Sequence, residues 1–109
     1  MTVETTSCGR KAVICLSGKI TGAESIRLSK TLQNYRLTDY DEVVIDFSNV
    51  EVIDSNGLGG LIYSQLLLEK YDKRIVLSAP NSVLRELFSD CNLDQTFKIL
   101  EPREETAYN

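Results

Sequence analysis

Val43-Val44-Ile45-Asp46-Phe47, followed shortly by Asp54-Ser55-Asn56-Gly57-Leu58-Gly59, sets an apolar, β-branched run against the start of a helical spacing at Leu58, Leu61 and Ile62. The run reads as a strand at the centre of a sheet and the later segment as the entry to a helix. A small hydroxyl residue at such an entry can cap the helix, because the first amides there have no intrahelical partner. Those free amides and the positive end of the helix dipole both favour negative charge. Ser55, beside glycines that keep its surroundings open, therefore reads as a phosphorylation switch. Taken by itself, the same serine is more simply a plain N-cap.

Working outward, residues 2–6 and 11–17 read as two strands with Ser7-Cys8-Gly9-Arg10 between them as a hairpin connection. Val13, Ile14, Cys15 and Leu16 give the second strand a run buried on both faces, with Cys15 as a small core residue. A loop is expected at 18–22. An amphipathic helix carrying Ile26, Leu28 and Leu32 should then run from 23 to about 35. Residues 48–53 connect the central strand to the second helix, 55 to about 71. Another buried strand (73–78) precedes a third helix that starts at Pro80 and Asn81, with Val83, Leu84, Leu87 and Phe88 on one face. Cys91-Asn92-Leu93-Asp94 turns the chain into a last strand around 97–100.

The order β-β-α-β-α-β-α-β predicts an α/β fold with a mixed, mostly parallel sheet of about five strands and three main helices. It fills a single domain at 1–101, leaving 102–109 as a charged tail. In such sheets, sites form outside the carboxyl ends of the strands. The Ser55 loop follows the third strand and residues 19–22 follow the second, which points to one shared end.

Composition narrows the function. The net charge is −4, and the basic residues are scattered among acids, which argues against a nucleic-acid surface. No apolar stretch approaches the length of a membrane span, and the start Met1-Thr2-Val3-Glu4 lacks the features of a signal peptide. Cys8, Cys15 and Cys91 have no C-x-x-C spacing and the chain has no histidine, so no metal site or cofactor is expected and a reducing cytoplasm is. The missing histidine also excludes Ser-His-Asp and Cys-His catalysis. Ile53 stands where a nucleophile elbow needs its first glycine, and Ile62 where G-x-G-x-x-G needs its third. The chain does not read as an enzyme.

Gly57, Gly59 and Gly60 call for a reason, since each glycine in a helix interior costs about 1 kcal/mol relative to alanine. Close packing against a neighbour accounts for at least one. A bare backbone that lets another protein approach Ser55 is the functional alternative. An Asn56-Gly57 hairpin turn fails, because the residues after it follow helical spacing and not alternation. On this helix Leu58, Leu61, Ile62 and Gln65 share a face, while Tyr63 and Leu67 project nearly opposite, as core contact or as an exposed partner patch.

Taken with its flanks, the 54–59 segment resembles the STAS domain, in particular the bacterial anti-sigma-factor antagonists. Leu16-Ser17-Gly18-Lys19-Ile20 is similar to the family's strand ending. Val43 to Phe47 with Val50 and Ile53-Asp54-Ser55 is similar to its central strand and phosphorylation loop. Leu84, Leu87 and Phe88, then Leu93, Phe97 and Ile99, resemble its closing helix and strand.

The resemblance implies a switch in which Ser55 is phosphorylated by a partner that is both anti-sigma factor and serine kinase. The unmodified protein would bind that kinase and free a sigma factor; the phosphorylated protein would be released and then restored by a PP2C-type phosphatase. The implied partner surface is Lys19, Thr21, Asp54, Asn56, Gly57, Leu58, Gly59 and Tyr63 around Ser55. Asn56 stands where the family usually has Ser or Thr, and Thr21 where many antagonists carry aspartate. Thr21 and Lys19 make the site less acidic, which implies either a tether for the phosphate that weakens the repulsion or, more simply, a different choice of partner. Two rivals are a STAS scaffold or transport-complex accessory that is never phosphorylated, and a small-molecule sensor binding a nucleotide near Ser55.

Overall fold

The computed structural model describes residues 1–101, so the charged tail expected at 102–109 lies outside the described residues. Strands β1 (Thr2–Cys8), β2 (Lys11–Ile20), β3 (Glu42–Ile53), β4 (Arg74–Ser78) and β5 (Lys98–Leu100) form one sheet in the order β1-β2-β3-β4-β5. β1 is antiparallel to β2 and every other pair is parallel, as the crossover pattern implied. Helices α1 (Ala23–Gln33), α2 (Ser55–Glu69), α3 (Ser82–Asp90) and the short α4 (Leu93–Thr96) make the connections, and a 3-10 turn at Asn34–Leu37 extends α1.

Alternation along the strands sorts the two faces of the sheet. Ile14 and Leu16 of β2, Val43, Ile45 and Phe47 of β3, and Ile75 and Leu77 of β4 point to the helices. There they join Leu28 and Leu32, Leu61 and Leu68, Leu84 and Phe88, and Leu93 in one buried cluster. Phe47 and Phe88 meet edge to face with centroids 5.5 Å apart, tying α3 to the central strand. On the other face Val44, Val76 and Leu100 form a smaller cluster with Val13 against it. Cys15 belongs to that face: half-buried, its Sγ lies 3.8 Å from Asp46 Oδ2, so it is not the core residue expected.

Several boundaries depart from the sequence expectation for physical reasons. Ser7 and Cys8 pair with Ala12 and Lys11, so the hairpin turn shrinks to Gly9-Arg10, with Gly9 at φ +62°. Residues 18–20 and 48–53 are strand and not loop, because the second halves of β2 and β3 pair with each other through two register shifts as far as Ile20 opposite Ile53. Gly18, at φ +91°, lies at one of these shifts. Lys19 is thus an exposed strand residue opposite Val52. α2 stops at Glu69, before a turn in which Asp72 takes a left-handed φ of +58°. The segment read as a simple turn after Cys91 contains α4, entered through left-handed Asn92.

Candidate functional site

Because β2 and β3 are parallel, the loops that follow them open at the same end of the sheet, and one carboxylate joins them. Asp54, the last residue before α2, is its N-cap: Oδ1 accepts the Gly57 amide at 2.8 Å. The same Oδ1 accepts the Ser25 hydroxyl at 2.6 Å, and Oδ2 accepts the Gly22 amide at 2.9 Å. The Asp54 amide itself donates to the Ile20 carbonyl at 3.1 Å. Gly22, at φ +57° and ψ −124°, is the cap residue of α1 and has no side chain to offer. The Asp54 carboxylate therefore sits at the start of two helices. The Ser25 hydroxyl, then the Gly22 and Gly57 amides, hold it below its ordinary carboxylate range, as donors to the charged form do.

This geometry corrects the cap expected of Ser55. Aspartate and serine both cap well, and with β3 running to Ile53 the capping position falls on Asp54. Ser55 is the first helical residue and is exposed; its hydroxyl is left to solvent or to a partner. Its amide and that of Asn56 lie in the first turn, where helix geometry provides no acceptor.

The glycines divide by neighbour. A methyl on Gly57 would come within 2.5 Å of Ile53 Cγ1 and 3.3 Å of Ser25 Oγ, and one on Gly60 within 3.2 Å of Ser29 Cβ. Gly60 lets α1 and α2 approach each other, and Gly57 makes room chiefly for Ile53 at the end of β3 and then for Ser25 of α1. Gly59 meets nothing within 4 Å and faces outward, so close packing does not explain it.

The remaining expected partner residues spread unevenly. Thr21 and Asn56 are exposed beside Asp54; Leu58 is half-buried and packs on the core. Tyr63, 58% exposed, stands eight residues along α2 from Ser55, about 12 Å by helical rise. Helical spacing puts Ser55, Gly59, Ile62, Tyr63 and Leu66 on one exposed side. The outward patch is therefore Ile62, Tyr63 and Leu66, so Ile62 stands with Tyr63 and not with the more buried Leu58 and Leu61, while Leu67 is half-buried. A surface groove of about 450 Å³ runs along the seam between this helix and α1, with Asn56 and Gly60 on one side and Ser29 and Lys30 on the other.

Sequence reasoning missed Ser25. Ile26, expected on the apolar side of α1, is 58% exposed, and the buried face is Ser25, Leu28 and Leu32. The available signal was a serine in step with two leucines. Among the described residues no group of His, Cys, Asp or Glu could hold a metal ion, and no helix is long and apolar enough to cross a membrane.

Comparison with known proteins agrees with this fold. The fold matches an anti-sigma factor antagonist described for Thermotoga maritima (TM1081) with a TM-score of 0.85, at 19% identity over 96% of this chain and 91% of that one. An anti-sigma factor antagonist from Mycobacterium paratuberculosis matches with a TM-score of 0.83, at 24% identity over 98% and 92%. SpoIIAA in its unphosphorylated form matches at 0.75, with 18% identity over 97% and 94%. The phosphorylated form, described as a Bacillus cell fate determinant, matches at 0.73, with 18% identity over 97% and 96%. At these identities the matches carry the fold. A family model described as "Mlab, STAS domain" matches residues 3–101, and the chain belongs to the STAS-domain family.

Proposed function

We propose that the protein is an anti-sigma-factor antagonist that works as a phosphorylation switch in the cytoplasm. Unmodified, it binds a serine-kinase anti-sigma factor through the Ser55 end of the sheet. Phosphorylation of Ser55 releases it, and a PP2C-type phosphatase restores it. The protein is then substrate and ligand and performs no catalysis of its own.

The observation that carries this reading is the placement of Ser55. It is exposed at the first position of α2, directly after a carboxylate whose bonds to Gly22, Ser25 and Gly57 keep it charged and immobile. A phosphate there adds about −1.5 to −2 charges. Asp54 has no proton to relieve the repulsion and no freedom to swing away. A partner covering this loop would have to bury both charges, and a hundredfold loss of affinity needs only about 2.7 kcal/mol. The free first-turn amides can meanwhile hold the phosphate without refolding the helix. Exposed Thr21 and Asn56 lie at this end of the sheet and would set which partner is accepted, with Lys19 exposed on β2 just before them, and Gly59 leaves α2 bare one turn beyond the serine.

The exposed apolar side of α2 formed by Ile62, Tyr63 and Leu66 favours a second reading, a STAS scaffold or transport-complex accessory with a standing interface. One experiment separates the two. Protein purified from its native cells is weighed intact with and without phosphatase, and partners retained by Ser55→Ala and Ser55→Asp are compared. The switch predicts a removable phosphate on Ser55 and a partner held by Ser55→Ala but lost by Ser55→Asp. An unmodified Ser55, with both variants holding the same partner, would establish the scaffold.

A further inference from the structure

Ser25 is 2% exposed, and its hydroxyl lies 2.6 Å from Asp54 Oδ1 and 3.3 Å from the Ile20 carbonyl. A hydroxyl has one hydrogen to give, and the shorter, charge-assisted contact takes it. The Ile20 carbonyl also receives the Asp54 amide, so Ser25, Asp54 and the end of β2 close a ring of contacts. The side chain is wedged where Gly57 leaves room, and a methyl on that glycine would lie 3.3 Å from Ser25 Oγ. Through Oδ2 the same carboxylate reaches Gly22, next to Thr21. Ser29, one turn further along α1, resembles Ser25 in chemistry but is engaged with Gln33 and makes no contact with Asp54.

We propose that Ser25 is a positioning residue of the Ser55 site: acting through Asp54, it holds the β2–α1 loop and the first turn of α2 together as one recognition surface. The inference deepens the phosphoswitch reading and rests on it for what recognises that surface. Without the Ser25 hydroxyl, Asp54 keeps one amide partner on each carboxylate oxygen but loses the donor that ties it to the body of α1. The relation of Thr21 to Ser55 is then held by fewer contacts.

The test uses the full chain with Ser25→Ala and, as the matched control, Ser29→Ala. Amide proton shifts of Gly22 and Gly57 are followed by NMR as pH is lowered. Both amides should report the Asp54 carboxylate protonating, at a pH below the ordinary carboxylate range in the unaltered protein. In Ser25→Ala that transition should move up at both amides, and in Ser29→Ala it should stay. The second arm measures phosphate uptake at Ser55 by intact mass in a native-cell lysate supplied with ATP. The rate should fall about tenfold in Ser25→Ala, the size expected for loss of one hydrogen bond to a charged group, and hold in Ser29→Ala. Unmoved Gly22 and Gly57 transitions, or equal effects of the two variants in either arm, overturn the proposal. Failure of the unaltered protein to take up phosphate overturns the switch instead, and the NMR arm still decides the role of Ser25. Should Ser25→Ala fail to fold, Ser25→Cys, similar in size and a weak donor, takes its place.

Discussion

Asp54 and Ser55 are adjacent residues of similar capping strength with different tasks, and the division follows from where β3 ends. Pairing of Ile20 with Ile53 carries the strand to the residue before Asp54, so the carboxylate caps and the hydroxyl is free. The pair was legible in the sequence as a helix entry. Its assignment was not, since either residue type caps well and the strand end depends on a partner strand distant in the chain. The three donors lower the native pKa of Asp54, so its stabilising contribution is fully present above the unfolded carboxylate value of about 3.9 and is lost as pH falls through the native value. Asp54→Asn should therefore lower the urea midpoint at neutral pH. The gap to the unaltered protein should close as the solution is acidified into the native titration range. A gap that stays constant with pH would show that the carboxylate charge contributes nothing.

At the scale of elements, α2 combines a buried side set by packing with an exposed side that packing leaves unexplained. Gly57→Ala gains helix propensity of about 1 kcal/mol, but the new methyl sits 2.5 Å from Ile53 Cγ1. Overpacking of this kind costs about 1–3 kcal/mol, so the net effect should be lower stability in urea denaturation. Gly59→Ala meets open space and should raise stability by about 0.5–1 kcal/mol. If Gly59 is bare so that a partner can approach Ser55, the same change should weaken partner binding while strengthening the fold, opposite signs that one denaturation and one binding series can read. A glycine in sequence does not announce which case it is, because the answer lies on neighbouring elements, at Ile53 of β3 and at Ser25 and Ser29 of α1. The same limit hid the second half of β3. Ser48, Asn49 and Glu51 are exposed polar residues that read as loop, since that half extends past the end of its pairing with β4 and is paired only with β2.

Over the whole molecule, the alternation of strands and helices was enough to give the sheet, because each right-handed crossover leaves few ways to bury Ile14, Ile45 and Leu77 against their helices. The same topology separates what stabilises the protein from what it would use to signal. Phe88, which locks α3 to Phe47, is fully buried, whereas Ser55 stands exposed at the first turn of α2. Phe88→Ala should cost about 3–5 kcal/mol, a large part of the 5–15 kcal/mol typical of a domain. Measured on the folded fraction, its partner affinity should stay close to that of the unaltered protein. Ser55→Glu should do the reverse. The added charge gains from the helix N-terminus and loses to its neighbour Asp54, so stability should stay within about 0.5 kcal/mol, as for most surface substitutions. Partner affinity should fall about a hundredfold. Hydrogen exchange would check that the perturbation is local: protection in β4 and α3 should match the unaltered protein, with changes confined to the first turn of α2 and the loop at Thr21 and Gly22. Loss of protection reaching the Phe47–Phe88 contact would mean that the charge acts by loosening the core, and the local switch would have to be abandoned.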